Sequence, residues 1–203
     1  SNPLLSATAL AAMLLTLKGT PFIYQGQEIG MTNVDFKRLQ EIKDISSINV
    51  YHTLKNTYHL PHRLAWRFMM NFTRDHARTP MQWNDKRNAG FSKVKPWLKV
   101  NHNYSHINVE AQLDKRHSIL SHYQTLIGLR NQYKALSIGE INFIDENKNL
   151  LVFERSLGRQ KILVLINLDR RSHSIHTNID GEVIYANYQQ LGDHQRKLRP
   201  YEV

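Results

Sequence analysis

The most constraining feature of the sequence is a short apolar run, Pro21-Phe22-Ile23-Tyr24, set between Gly19 and Gly26. Before it, residues 6–18 (SATALAAMLLTLK) are rich in Ala, Leu and Met and read as a largely buried helix. Gly19 supplies the helix stop. An apolar run of this length bounded by glycines suits a buried strand. Helix, strand and Gly-containing loop follow one another in the rhythm of an α/β layer. One strand cannot make a sheet, so the run is expected to need strands from outside its own surroundings.

Further along, the pattern changes twice. Apolar residues at helical spacing (Leu39, Ile42, Ile45, Ile48, Tyr51) predict helix within 35–56, and a second helix follows Pro61, with Leu64, Ala65, Phe68 and Met69 on one face. From 73 to 108 the periodicity dissolves, while Trp83, Phe91, Trp97 and Tyr104 recur. Such a long aperiodic stretch is more often functional than idle. Helix returns over 109–135, best marked by Ile119, Tyr123, Leu126, Ile127 and Arg130. Beyond that the period becomes two. Segments 141–144, 150–155, 161–167, 172–177, 182–187 and 197–203 are rich in strand formers and spaced as in a small antiparallel sandwich or barrel.

Charge follows the same division. The 203 residues carry 27 Lys and Arg against 17 Asp and Glu, a net charge of +10. Residues 1–135 hold 18 basic and 8 acidic side chains, and residues 136–203 hold 9 of each. The whole excess therefore lies in the first part, and a domain boundary is expected near 135. Lys86, Arg87, Lys93, Lys95 and Lys99 interleave with Trp83, Phe91 and Trp97, the crude composition of a nucleic-acid surface. No helix carries a dense basic stripe and no binding motif is present, so no nucleic-acid partner is expected. No apolar run approaches the ~18 residues of a membrane helix, and no membrane partner is expected. There is no cysteine and no visible secretory signal, which leads to a cytoplasmic expectation. His59 with His62, and His102 with His106, have ligand-like spacing without a fixed third ligand. Neither a metal site nor a cofactor is expected.

Among carboxylates, Glu28 is the best acid–base candidate on position alone, because loops after the strands of an α/β layer carry active sites. Asp75, close to Arg74 and Arg78, comes next, although ion pairing explains it more simply. Spacing alone does not select a reaction.

Two longer stretches go further. Residues 18–33 (KGTPFIYQGQEIGMTN) and 74–83 (RDHARTPMQW) resemble the last barrel strand and the following loop of α-amylase-superfamily α-glucosidases, closest to the oligo-1,6-glucosidase, dextran glucosidase and trehalose-6-phosphate hydrolase group. Ala89-Gly90-Phe91, Pro96-Trp97, the stretch 100–109 and Leu198-Arg199-Pro200-Tyr201-Glu202 continue in that family's order.

The resemblance implies a fold that is α/β plus all-β. Residues 3–135 would be the C-terminal part of a (β/α)8 barrel, and residues 136–203 a small antiparallel β-sandwich domain. It implies a retaining, exo-acting enzyme that cuts terminal α-glucosidic bonds, expected to be α-1,6, in short oligosaccharides. Such an enzyme uses an Asp nucleophile and a Glu acid/base about 5 Å apart. In the family these residues and a further Asp precede the stretches matched here, and no His-Asp pair occurs in this sequence. No catalytic residue is therefore assigned, and the chain by itself is expected to be inactive. The residues carried over are substrate-binding ones. Arg74 matches the arginine that hydrogen-bonds the terminal glucose, and its fork suits adjacent sugar oxygens and a nearby carboxylate. Glu28 resembles a residue lining the entrance where the leaving sugar sits. Arg78 is read as a structural brace of the loop, and Trp83 and Trp97 as packing aromatics under it. Ser46 stands where the family usually has Glu. The alternatives are a trehalose-6-phosphate hydrolase portion and a non-catalytic module that binds carbohydrate or self-associates through exposed barrel surface.

Overall fold

The computed structural model describes every residue except Ser1, Lys148, Asn178, Ile179 and 191–196, and the backbone but not the side chains of 145–147. It forms two compact units, one of residues 1–30 with 112–203 and one of residues 31–111.

The first unit is built on two helices and a sheet. Helix α1 (Pro3–Thr16) starts at Asn2, whose side chain accepts from the amides of Leu4 and Leu5, with Pro3 at the first helical position. Helices α5 (Ile119–Gln132) and α6 (Lys134–Ile138) follow much later, after the short α4 (Glu110–Leu113) that straddles the division between the units. Ser118 caps α5 by accepting from the Ser121 amide, and Ser121 returns the bond to the amide of Ser118. Strands β1 (Glu140–Asn147), β2 (Leu150–Leu157) and β3 (Gln160–Asn167) form an antiparallel sheet in chain order. Phe143 opposes Phe153, and a bulge follows between Phe143 and Asp145. Gly158, at φ +58°, makes the tight turn from β2 to β3. Ala9, Ala12 and Leu15 of α1 pack with Tyr123 and Leu126 of α5 and with Phe153, Val164 and Ile166 of the sheet. Small alanines on α1 allow this close approach.

A two-stranded sheet pairs β4 (His173–Ser174) with β5 (Lys197–Leu198), so Ile175 and Leu198 cover Leu150 and Val152. The expected strand at 182–187 forms no ladder among the described residues. Side chains hold it instead: Asn187 donates to Thr8 Oγ1 at 3.0 Å and accepts from the Val203 amide at 3.0 Å. Val183 and Tyr185 from this segment line a cavity of about 250 Å³ together with Ile162, Val164 and Leu126.

The expected buried strand at 21–24 is likewise absent. Among the described residues no ladder includes 21–24, and Phe22 is 83% exposed. The composition suits a strand, but a strand exists only when another backbone completes its hydrogen bonds, and none does so here.

In the second unit, α2 (Ile45–Asn56) and α3 (His62–Phe72) pack as a pair over Val34, Phe36 and Ile42. Tyr51, Ala65 and Met69 are buried between them, whereas Leu64 and Phe68, expected on the same inner face, are exposed. Thr73 to Ser105 is a long excursion of 3-10 turns. Asn88 and Ala89 lie in the left-handed region with Gly90, and the Ala89 carbonyl accepts from the amides of Trp83 and Asn84. Trp83 and Trp97, expected as packing aromatics, are 49% and 64% exposed. The buried place beneath this loop belongs to Gln82, which donates to the Ile107 carbonyl and to Asn103 Oδ1.

Candidate functional site

Arg74 lies at the first position of a 3-10 turn (Arg74–Arg78), immediately after Thr73 ends α3. Its side chain is 59% exposed, yet one edge is fully engaged by a residue that sequence reasoning had not singled out. Asp44, only 2% exposed, precedes the first turn of α2. Its Oδ1 accepts from Arg74 Nη2 at 2.5 Å and from Nε at 3.2 Å, and its Oδ2 accepts from Nε and from the Arg74 amide, both at 3.3 Å. Ser47 Oγ adds a donor to Oδ2 at 2.7 Å. These donors, Arg74 foremost, hold the Asp44 carboxyl well below the usual carboxylate range against the opposing effect of burial, and the same pairing raises the guanidinium.

Arg74 Nη2 also donates to Ser46 Oγ at 3.2 Å. Among the described residues Nη1 has no hydrogen-bond partner. The guanidinium thus spends one edge on the protein and presents its other amino group, a pair of N–H donors in fixed geometry. An exposed donor pair on a charge-compensated arginine suits neutral, vicinal hydroxyls.

Asp75, the second acid–base candidate of the sequence, is poorly placed for that work. Asp75 is fully buried and does not pair with Arg74; its Oδ2 accepts from the amides of Lys43 and Asp44 at 2.6 and 2.9 Å. Arg78 Nη1 stands 3.8 Å from the other oxygen.

Glu28 belongs to the first unit, so the two predicted binding residues fall in different units. It sits in a one-turn helix (Gln27–Ile29) framed by Gly26 at φ +88° and Gly30 at φ +70°. Gln112 donates to the Ile29 carbonyl at 2.8 Å and pins the turn. Glu28 is half-buried, and its Oε2 is buried with no hydrogen-bond partner among the described residues. An acceptor in that condition is costly unless a ligand or water donates to it. Nearby, burial raises the Tyr123 phenol, the charge of Glu28 adds to this and a hydrogen bond from Gln27 opposes it. Among the described residues no group of three or more His, Asp or Glu is placed to hold a metal ion. None of their helices is long and apolar enough to cross a membrane.

Sequence signals for Asp44 were slight. It precedes a helix, which is an ordinary place for Asp, and nothing local ties it to a residue 30 positions on.

The arginine-bearing loop and the helix, glycine and loop that precede it belong together in one family. Residues 2–139 match the model of the alpha-amylase catalytic domain, and the chain is a member of that family. Over 204 aligned residues it is 39% identical to a probable oligo-1,6-glucosidase 2 of Bacillus subtilis, with 97% of this chain covered. Among solved structures, a trehalose-6-phosphate hydrolase of Bacillus licheniformis superposes with a TM-score of 0.90 at 33% identity, and a trehalulose synthase with 0.89 at 36%, each over 98% of this chain. The chain spans 36% of the length of the first of these relatives and 37% of the other two. The glycosidases among them place the chain by resemblance among glycoside hydrolases.

Proposed function

We propose that these residues form the C-terminal portion of a retaining, exo-acting α-glucosidase, in which Arg74 grips the terminal glucose of a short α-1,6-linked oligosaccharide. The observation that carries this reading is the half-engaged guanidinium of Arg74: one edge is locked on Asp44, and Nη1 is left to donate. Glu28, by resemblance to the family's residue at the pocket entrance, is the second residue proposed to contact the sugar. In this reading residues 3–135 supply the last part of a (β/α)8 barrel and 136–203 its β-domain. The unpaired run 21–24 is then a barrel strand awaiting its neighbours.

The hydrolytic step needs two carboxyl groups flanking the bond, and the best-placed acids here are committed elsewhere: Asp44 to Arg74 and Asp75 to two amides. The chain alone is accordingly expected to release no glucose from a chromogenic α-glucoside, while a version of the length of its relatives does. Saturation-transfer NMR with isomaltose should detect binding to the long form that Arg74→Gln abolishes. Hydrolysis by the 203-residue chain would overturn the assignment of its carboxylates.

Self-association is a second reading, supported by the exposure of Phe22 and Tyr24 in an unpaired backbone segment. A partner copy would cover them. A monomer in light scattering, with no uptake of a hydrophobic dye, would dismiss it.

A further inference from the structure

A fully buried carboxylate that touches no charged partner at hydrogen-bonding distance requires a reason, because its desolvation is expensive. Asp75 is such a group. Its Oδ2 takes the amides of Lys43 (2.6 Å) and Asp44 (2.9 Å), while its Oδ1 has no hydrogen bond among the described residues and faces Arg78 Nη1 only at 3.8 Å. Asp44, whose amide it binds, is the residue whose carboxylate holds Arg74.

We propose that Asp75 is the positioning residue for Arg74, acting through the backbone of Asp44; this rests on the reading of Arg74 as the sugar-binding arginine. Two neighbours of opposite charge grip one residue from both ends. Arg74 holds the Asp44 carboxylate by its side chain and its own amide, and Asp75 holds the Asp44 main chain. The result is a closed ring: Arg74 to the Asp44 side chain, along Asp44 to its N–H, across to Asp75 Oδ2, and back through the peptide bond to Arg74. In an open arrangement, the guanidinium would follow any movement of the turn before α2. In the ring, the turn at 43–44 and the turn at 74–75 move together, so Nη1 keeps one direction. Asp75 cannot itself reach a ligand, since it has no exposed surface.

The ring makes an asymmetric prediction, readable in the 203-residue chain by NMR hydrogen exchange at Arg74 Nε–H and at the amides of Lys43 and Asp44. Asp44→Ala should speed exchange at Arg74 Nε–H about tenfold or more while the two amides, still held by Asp75, stay protected. Asp75→Asn should release both the amides and Arg74 Nε–H, with amides inside α2 and α3 unchanged. Arg78→Gln, which touches Asp75 only at 3.8 Å, should change neither. A folded Asp75→Asn chain that keeps Arg74 protected would overturn the proposal. If that variant does not fold, loss of amide protection at 43 and 44 in Asp44→Ala would overturn it just as well, because Asp75 alone would then not hold that backbone. In the longer form, Asp75→Asn should raise KM for isomaltose as Arg74→Gln does, with a smaller effect on kcat. The exchange pattern without any sugar contact at Arg74 would uphold the ring and remove the sugar reading alone.

Discussion

His122 Nδ1 and the hydroxyl of Tyr185 lie 2.9 Å apart, and this bond ties helix α5 to the ladder-free segment at 182–187. The opposite ring nitrogen, Nε2, is buried with no partner among the described residues. Burial, and to a lesser degree His117, holds the imidazole below its ordinary value of 6.5. The unfolded chain therefore binds this proton more readily than the folded one. Stability should rise with pH through the window below about 6.5, and His122→Gln should flatten that slope in urea unfolding followed at several pH values. An unchanged slope would mean that other groups set it.

The Arg74–Asp44 pair has a linkage of the same sign in a lower pH window. A depressed carboxylate stabilises the fold above its unfolded value, near 3.8, and loses that contribution only as pH falls through the lower folded one. Protection of Arg74 Nε–H should thus persist down through the ordinary carboxylate range. Asp44→Asn should remove the protection at every pH.

Arg74→Lys replaces a fork by a single ammonium and forfeits the simultaneous grip on Asp44 and ligand. In a form long enough to bind sugar, affinity for isomaltose should fall about tenfold or more, as expected for loss of a charge-assisted bond. Thermal unfolding of the 203-residue chain should move to lower temperature, because the buried Asp44 carboxylate exchanges a two-nitrogen partner for a single ammonium.

At Gly139 a methyl group has no room. An added Cβ would stand 2.6 Å from the Ser156 carbonyl oxygen and closer still to that of Ala135, both backbone atoms that cannot swing away. Gly139→Ala should cost about 2–3 kcal/mol in denaturant unfolding. Arg155→Met should cost about 3 kcal/mol, since the buried guanidinium serves the carbonyls of Thr16, Gly139 and Glu140. A loss below 1 kcal/mol at either site would contradict the packing described.

Much of this was legible in the sequence where the determinants are local. The Ala- and Leu-rich first helix, the helix after Pro61 and the strands at 141–144, 150–155 and 161–167 all appear, because periodicity and capping act within a few residues. What failed depends on distant backbone. The run at 21–24 has strand composition without a partner, and 182–187 is held by Tyr185 and Asn187 side chains instead of a ladder. Trp83 and Trp97 were read by residue type as packing aromatics, but they are exposed and Gln82 is the buried side chain of this stretch. Arg74 was found through its motif, while Asp44 needed the geometry, since its role is set by a contact 30 residues away.

Helix α1 ends on two arginines made much later. Arg130 donates to the carbonyls of Leu15 at 2.7 Å and Gly19 at 2.5 Å, and Arg155 to that of Thr16. During synthesis the Thr16 carbonyl of α1 therefore lacks its arginine donor until the second strand of the sheet has been made. The β-rich end is then no detachable appendage: removing it from residue 136 onward would leave Arg130 in place but withdraw Arg155, and with it the donor to the Thr16 carbonyl.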